Sequence, residues 1–552
     1  MPILRLLQIK LRKRLASWML FAAPLIAAEP TPTPSTDAAP SATPPVSAAA
    51  APSPAAPSNP YERPNPPKPA GRIDELVFSR LQSLGIEPAH VCSDPVFVRR
   101  VFLDVIGTLP TPVEVNRFLQ NRDPNKRRAL IDQLLERDEF ADYWTMKWSD
   151  LLRVKAEFPI NLWPNAAQEY HRWIYTAVRD NMPYDQFVRT LLTSNGSNFR
   201  VGPVNFYRAA QSRDTQGLSR VVGLTLLGTH AEKWPADKAA GFAPFFSAVG
   251  YKATQEWKEE IVYFNSDKIP AGGTPAVLPD GTRVTLTRDR DPRIVLADWL
   301  IRPDNHAFTQ PIVNRAWYWL LGRGIVHEPD DLRADNPPSN PELLAYLEKQ
   351  FVADHYDLKK LFRLILNSNT YQLSTLSRSD KPEAEANFAF YPLRRLDAEV
   401  LIDALNQISG TTEKYSSAIP EPFTFIPETQ RSISLPDGSI TSSFLEMFGR
   451  PSRDSGEELE RNNRITADQR LHLLNSTHIQ RKIEQGPKFQ ALLRSKKPPR
   501  EVISDLYLLI LSRPPTESER AAIAEYAKTD TRNALVDVTW SLINSTEFLY
   551  RH

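Results

Sequence analysis

The chain has 552 residues, enough for more than one domain, and its 41% hydrophobic content supports a sizeable core. Its 67 Lys and Arg residues nearly balance 65 Asp and Glu residues, so its charge gives no argument for a nucleic-acid partner. The single cysteine, Cys92, excludes an intrachain disulfide, and core packing must therefore carry the stability.

Residues 1–28 are predicted to be an export signal. A basic stretch ending at Arg14 precedes an apolar stretch of residues 15–26, and Ala27 and Ala28 offer a small-residue cleavage site. The apolar stretch is shorter than the roughly 20 residues that span a bilayer. We therefore expect a cleaved signal and a protein of the periplasm or cell surface, with an uncleaved membrane anchor as the alternative.

Residues 29–70 consist almost entirely of Pro, Ala, Ser and Thr. Such a segment buries too little apolar surface to offset the entropy of ordering it. We predict a disordered linker that holds the folded part away from its attachment point.

Helical periodicity begins at about Arg72 and predicts a helical domain over residues 71–265. Within it, Thr111, Pro112 and Glu114 have the spacing of a capped helix start.

The amino-acid pattern after this domain changes from helix-forming to strand-forming. Residues 266–290 are predicted to form a small β insert, since two β-prone runs flank an Asp-Gly turn. Residues 432–439 have a similar pattern and predict a further exposed hairpin.

Residues 291–552 are predicted to form a second helical domain. Apolar stripes predict two helices before Gly322, which is a typical helix stop, with Arg323 positioned to meet the last carbonyl groups. Residues 328–340 are rich in Pro, Asp and Asn, which predicts a loop. Ser339 is then expected to cap the next helix.

This loop and the helix before it contain the densest group of polar side chains that a ligand could use. One interpretation is that its carboxylates and one imidazole hold a hard divalent cation. The other is that its acids cap turns and pair with nearby arginines, as aspartates commonly do in loops. The candidate residues are Asn314, Arg315, Arg323, Asp330, Asp331 and Arg333, with His327 beside them.

The same stretch resembles a known family. Residues 313–317 (VNRAW), 322–326 (GRGIV), 330–333 (DDLR) and 336–344 (NPPSNPELL) resemble the PSD-type domain of unknown function of exported planctomycete and verrucomicrobial proteins. Residues 73–150 resemble the start of the PSCyt-type domain, which usually precedes it and is named for a cytochrome-like role. The resemblance implies this domain order over nearly all of the chain after the linker.

The PSCyt resemblance also implies a Cys/His cluster, and this chain departs from that pattern. Covalent haem attachment needs C-x-x-C-H. The corresponding residues 226–234 keep His230 and Trp234 but have no cysteine, and a second cluster expected near residues 449–454 is also missing. We therefore expect no covalent haem, iron–sulfur cluster or Cys-ligated zinc. His230 and His327 remain weak candidates for a metal, and an ordinary structural role is the alternative for each.

Three further patterns are interpreted structurally. Capped helix pairs after Thr111, Ser339 and Thr516 predict three related helical hairpins. The charged run of residues 457–464 favours a solvated face over an anion site. Most tryptophans occur at helical spacing, which favours a place in the core over a glycan platform.

The sequence contains no specific catalytic motif. It predicts a mainly α protein of two helical lobes built from helical hairpins, with a small β insert between them. We interpret it as an exported, non-catalytic binding or assembly protein of the cell envelope, with an envelope protein or a glycan as partner. The alternative is a metal-dependent or carboxylate-based enzyme acting on polysaccharide, centred on residues 328–340.

Overall fold

The computed structural model describes residues 59–528 and 530–552, with only the backbone for residues 531 and 532. The predicted export signal and most of the predicted linker lie outside these residues. The helices are α1 (Arg72–Ser83), α2 (Asp94–Val105), α3 (Pro112–Gln120), α4 (Lys126–Leu135), α5 (Asp138–Leu151), α6 (Pro164–Arg179), α7 (Tyr184–Thr193), α8 (Asn205–Arg208), α9 (Thr215–Leu227), α10 (Ala236–Phe242), α11 (Pro292–Leu300), α12 (His306–Leu321), α13 (Pro341–Ala353), α14 (Leu358–Leu366), α15 (Ala398–Ser409), α16 (Ser443–Met447), α17 (Ala467–Asn475), α18 (Thr477–Gln485), α19 (Pro487–Leu493), α20 (Pro499–Leu511), α21 (Glu517–Tyr526), α22 (Thr531–Ile543) and α23 (Thr546–Leu549).

Strands are few and short, and the predicted mainly α fold is confirmed. The strands are β1 (Gly196–Ser197), β2 (Val249–Ala253), β3 (Glu260–Phe264), β4 (Thr274–Val277), β5 (Arg283–Leu286), β6 (Arg394–Arg395) and β7 (Tyr550–Arg551). Short 3-10 helices cover Gly202–Val204, Ala231–Lys233, Ala243–Phe246, Ser266–Lys268, Ser432–Ser434 and Glu458–Glu460. Among the described residues, no helix is long and apolar enough to cross a bilayer.

Strands β2 to β5 lie between α10 and α11, and β6 pairs with β7 near the C-terminus. Strands β1, β3 and β2 form one antiparallel sheet in that order, and β4 pairs with β5 in a separate antiparallel hairpin. The predicted Asp-Gly turn joins β4 to β5, and Gly281 adopts φ +90°, which a side chain would disfavour. The second predicted hairpin, at residues 432–439, is wrong. That segment begins with a 3-10 helix, because the buried carboxylate of Asp403 accepts the N–H groups of Ser432 (2.8 Å) and Ile433 (3.2 Å).

The end of the predicted linker is ordered, so the linker prediction is wrong for residues 60–63. Arg63 N donates to Val91 O at 2.8 Å, and Ser93 Oγ donates to Pro60 O at 2.6 Å. These bonds fix the segment against the start of α2. Tyr61, an aromatic residue in an otherwise small-residue segment, also packs against the core.

The two helical segments share one continuous hydrophobic core. Helix α1 packs on α13, and α4 packs on α14, so elements far apart in sequence are neighbours in space. Buried Arg99 of α2 donates to the carbonyls of Ile510 (2.7 Å) and Phe548 (3.0 Å) near the C-terminus. The expected lobes are therefore joined by packing as well as by the chain.

Aromatic residues fill the contact between the segments, in agreement with the core interpretation of most tryptophans. Trp144 of α5 stacks on Phe362 of α14 at 4.3 Å between ring centroids and meets Trp319 of α12 at 5.4 Å. Trp144 is 2% exposed and Trp317 is fully buried. Large-ring burial of this kind is a main source of stability in a chain without disulfides.

Helix capping agrees with the sequence at two of the three predicted hairpins. Thr111 with Glu114 and Thr516 with Glu519 form reciprocal capping boxes. At α13, however, Asn340 and not Ser339 is the cap, because its side chain accepts Leu343 N at 3.0 Å. The threefold repeat is wrong in its first unit. Helices α3 and α4 both pack on α2, whereas α13 with α14 and α21 with α22 are true hairpin pairs.

Candidate functional site

The predicted loop of residues 328–340 follows α12, and Asn314 of that helix holds its start. The Asn314 side chain is fully buried. Its Nδ2 donates to Val326 O at 2.8 Å, and its Oδ1 accepts Val326 N at 2.9 Å. Both ends of the amide are therefore used to fix the backbone, which makes Asn314 a structural residue.

Arg315 and Asp330 form a buried ion pair behind the loop. Arg315 is fully buried, and its Nη2 donates to Asp330 Oδ1 at 2.7 Å and to Leu224 O at 2.7 Å. The other oxygen of Asp330 accepts Glu458 N at 2.7 Å. Both carboxylate oxygens of Asp330 are thus engaged, and the pair joins α9, α12 and the segment that contains Glu458.

The remaining predicted polar residues lie nearer the surface. Asp331 pairs with Arg333 at 2.7 Å, and the Arg333 side chain is 47% exposed. Arg323 does not have the role expected of it. The last carbonyls of α12 instead accept N–H groups of Arg394, at 3.0 Å for Trp319 O and 2.7 Å for Leu320 O. A partner 74 residues away in the chain cannot be inferred from helix-end signals.

The two candidate histidines lie in separate environments, and the buried Nδ1 of His327 has no hydrogen-bond partner among the described residues. His230 Nδ1 lies 3.0 Å from Glu232 Oε1. The pKa of His327 is lowered by burial and by the charge of Arg323, which favours its neutral form. Within residues 59–528 and 530–552, no group of three or more His, Cys, Asp or Glu side chains is arranged to hold a metal ion.

The outer side of the loop forms one wall of an open cleft of about 490 Å³, which we call the tryptophan cleft. The other walls come from the end of α9 and the segment after it, the β4–β5 turn and the start of α12. Its lining residues are Leu227, Thr229, Lys233, Trp234, Pro235, Lys238, Pro279, Asp280, Trp299, Asn305, Ala307, Gln310, Pro311, Leu332, Arg333 and Ala334. Arg333 is the only predicted site residue among them.

Two indole rings are fixed in the tryptophan cleft by hydrogen bonds. Trp299 Nε1 donates to Asp280 Oδ2 at 2.7 Å, and Trp234 Nε1 donates to Thr229 Oγ1 at 3.2 Å. Because Trp299 is only 7% exposed, the partly exposed ring of Trp234 is the one that offers apolar surface to a ligand.

The tryptophan cleft also contains two lysines. Lys238 Nζ lies 4.5 Å from the Trp234 ring centroid, and Lys233 is exposed beside it. Among the described residues, neither lysine lies within 4 Å of a carboxylate. The cleft therefore combines indole rings with cationic groups that are available to a ligand.

A second charged group was missed by the sequence analysis. It consists of Lys147, Asp150, Asp397, Glu399, Arg461 and Arg551, which we call the central ion network. Asp397 is 1% exposed and lies 3.1 Å from both Lys147 Nζ and Arg551 Nη2. Arg461 joins Glu399 at 2.7 Å to Asp150 at 2.6 Å.

The central ion network corrects the interpretation of residues 457–464 as a solvated face at Arg461, whereas Leu459, Asn462 and Arg464 are exposed. The Arg461 side chain is only 8% exposed. Glu460 turns inward to accept the N–H groups of Asp454 (3.0 Å) and Ser455 (3.1 Å). Alternating charges along the chain do not indicate the contacts of Arg461, because Glu399 and Asp150 lie far away in sequence.

Glu458 has an unusual environment beside the Arg315–Asp330 pair. Its Oε1 accepts Trp319 Nε1 at 2.7 Å. Burial, followed by the negative charge of Asp330, raises its pKa to about 7. The acid is therefore easier to protonate in the folded protein than in the unfolded chain.

This shift predicts a pH dependence of stability. An acid with a raised folded-state pKa favours folding fully below its unfolded pKa of about 4.5, and the benefit is lost as pH rises through about 7. We expect Glu458→Gln to raise the melting temperature relative to the wild type more at pH 8 than at pH 5. Thermal melts of both proteins at the two pH values measure this. Equal shifts at both pH values would contradict the assignment, and Glu457→Gln serves as the control.

Comparisons with known proteins return two domain families. The family PSCyt2, described as a protein of unknown function (DUF1549), matches residues 72–222. The family PSD1, described as a protein of unknown function (DUF1553), matches residues 292–527. No curated protein and no solved structure matches the chain. The tryptophan cleft takes its walls from the segment between the two matches and from the start of the second.

Proposed function

We propose that this chain, which belongs to the proteins in which a PSCyt2 domain of unknown function precedes a PSD1 domain of unknown function, is a non-catalytic binding protein of the cell envelope. Its ligand is a glycan that carries acidic groups, held in the tryptophan cleft. The observation that carries this proposal is that the partly exposed Trp234 ring lies in one open cleft with two lysines that have no carboxylate within 4 Å among the described residues.

The dimensions and chemistry of the tryptophan cleft support a saccharide ligand. Its volume of about 490 Å³ lies within the range of small-ligand sites. The indole ring of Trp234 is partly exposed, and the C–H faces of sugar rings pack well on such flat apolar surfaces, whereas Trp299 is only 7% exposed and supports the wall of the cleft. Asn305 and Gln310 line the cleft but already bond Leu300 O and Glu348, so they shape its wall.

The lysines support an acidic glycan over a neutral one. Ammonium groups form their strongest hydrogen bonds with anionic oxygens, such as those of a carboxylate, sulfate or phosphate. Lys233 and Lys238 would meet such groups while the sugar ring lies on Trp234. Arg333 contributes less, since Asp331 already lies 2.7 Å from it.

The number of acidic residues in the tryptophan cleft and the hydrogen bonds they make support binding without catalysis. Glycoside hydrolysis uses two carboxyl groups on either side of the scissile bond. Asp280 is the one acidic residue among those that line the tryptophan cleft, and it accepts Trp299 Nε1. Asp330 uses both oxygens in internal bonds.

Export to the periplasm or cell surface is part of the proposal. It is supported by the basic and apolar stretches within residues 1–28 and by the Pro- and Ala-rich stretch that follows. A protein on such a linker is suited to reach a glycan in the envelope. Fractionation of cells that produce the full-length chain tests the location.

The binding test is calorimetric titration of the full chain with acidic oligosaccharides, such as oligogalacturonate and sulfated oligosaccharides. We expect Trp234→Ala to weaken binding by about 30-fold, the effect of losing a contact worth about 2 kcal/mol. Lys238→Met should weaken binding of acidic glycans and lose the preference over neutral ones. Trp257→Ala is the control, because Trp257 is 69% exposed and does not line the tryptophan cleft. Unchanged binding by both cleft variants would reject the proposal.

The enzyme alternative has one observation in its favour, the proximity of Asp330 and Glu458 with a raised Glu458 pKa. A carboxyl group with a raised pKa can act as a general acid near neutral pH. The same oligosaccharides distinguish the alternatives. Release of reducing ends by the wild type, abolished in Glu458→Gln, would establish an enzyme in place of a binding protein.

A further inference from the structure

The two histidines His472 and His478 meet outside the tryptophan cleft, at the junction of α17 and α18. His472 Nε2 lies 3.3 Å from His478 Nδ1. Two nitrogens bound to one tetrahedral Zn²⁺ at about 2.0–2.1 Å are themselves about 3.3–3.4 Å apart. The spacing of the pair thus equals the spacing that a shared zinc ion requires.

A carboxylate fixes the second imidazole from behind. His478 Nε2 lies 2.9 Å from Glu413 Oε2. A neutral imidazole that donates Nε2–H to a carboxylate has its free electron pair on Nδ1, the atom that faces His472. This carboxylate–histidine arrangement is the one that orients and strengthens imidazole ligands in metal sites.

The surroundings hold both rings in place and leave room for solvent. The Phe444 ring packs edge-on against both imidazoles, with centroids 5.8 Å away in each case. Ser476 caps α18 between the two histidines through its bond with Ile479 N, at 3.2 Å. The His478 side chain is 30% exposed, so water molecules can complete a coordination shell.

From this geometry we propose that His472 Nε2 and His478 Nδ1 bind a divalent ion of the zinc class, with Glu413 as a positioning residue. The remaining ligands are water, since the site supplies two protein ligands. Imidazole ligands select Zn²⁺, Ni²⁺ and Cu²⁺ over Mg²⁺ and Ca²⁺. Lys482 lies 3.2 Å from Glu413, which keeps that carboxylate in its orienting position.

The test is calorimetric titration of the tag-free, chelator-treated full chain with Zn²⁺ in the presence of excess Mg²⁺. We expect one zinc per chain, loss of this binding in His472→Gln and His478→Gln, and about 10–100-fold weaker binding in Glu413→Gln. His306→Gln is the matched control, because His306 also bonds a carboxylate, Glu348, at 2.9 Å and belongs to a separate site. Zinc binding that is absent, or equal in the wild type and the two histidine variants, would overturn the proposal.

A second measurement does not depend on how the variants fold. Wild-type crystals soaked in Zn²⁺ should give an anomalous-scattering peak within about 2.1 Å of both His472 Nε2 and His478 Nδ1. If the peak lies elsewhere, or if the two nitrogens keep a direct hydrogen bond at saturating zinc, the pair is only a hydrogen-bonded chain ending at Glu413.

Discussion

Replacing Asp397 by Asn is expected to lower the free energy of unfolding by about 3–5 kcal/mol, the usual cost of breaking a buried ion pair from one side. Asp397 accepts hydrogen bonds from Asn463 Nδ2 at 2.7 Å and Arg551 Nη2 at 3.1 Å, and Lys147 Nζ lies 3.1 Å away. The amide removes the negative charge and leaves Lys147 with no carboxylate within 4 Å among the described residues, whereas Arg551 keeps Asp104 at 3.0 Å.

The electrostatic state of Asp397 explains the size of this effect. Burial by itself raises its pKa, but the nearby charges of Lys147, Arg551 and Arg461 outweigh burial and hold the pKa well below its usual value. The carboxylate is therefore ionised in the folded protein at every pH at which the unfolded chain is also ionised. Its contribution to stability is present above the unfolded pKa of about 3.8 and is lost as pH falls below it.

Urea unfolding at pH 7, followed by far-ultraviolet circular dichroism, measures the loss. Asp304→Asn is the control, because Asp304 forms a 2.8 Å ion pair with Arg302 but its side chain is 70% exposed. Exposed pairs contribute about 0–1 kcal/mol. If the two substitutions cost the same, the central ion network contributes no more than a surface pair, and its assignment as a stabilising centre is wrong.

The second large effect is expected at the ion pair behind the loop. Arg315→Ala should lower the free energy of unfolding by about 3–5 kcal/mol. The substitution leaves Asp330 charged and buried, and it removes the donors to Leu224 O and Thr225 O. It also opens a cavity at a fully buried position.

A double substitution separates a structural role of this ion pair from a role in glycan binding. Replacing both partners, as in Arg315→Met with Asp330→Leu, removes the unpaired charge and should be less destabilising than Arg315→Ala. Glycan binding in the tryptophan cleft should persist in this double variant, since neither residue lines the cleft. A stable, folded double variant that no longer binds the glycan would instead place the pair in the functional site.

The sequence predicted local features well where they depend on neighbouring residues. Helix α12 ends at Gly322 with φ +77°, as predicted. The signal lies at the helix end that it controls. The prediction that Arg323 meets the α12 carbonyls failed because Arg394 reaches them from another part of the chain.

The candidate site was predicted only in part. The acidic loop was identified, and the alternative that its aspartates pair with arginines agrees with the Arg315–Asp330 and Asp331–Arg333 contacts. Its exposed side, where Leu332 and Arg333 line the tryptophan cleft, could not be anticipated, because Trp299 and Trp234 reach it from other helices and loops. No sequence motif indicates the His472–His478 contact, since five residues separate the two histidines across a helix junction.

The sequence by itself determined the helical periodicity, the helix stops, the Asp-Gly hairpin and the lack of thiol ligands, because each depends on residue types or on backbone preferences over a few neighbouring positions. Only the tertiary structure decided which charges are buried and paired. With 67 cationic and 65 acidic side chains, spacing along the chain cannot select the partners. The Asp150–Arg461 bond joins residues 311 positions apart, and packing brings them together inside the protein, where the local dielectric is low.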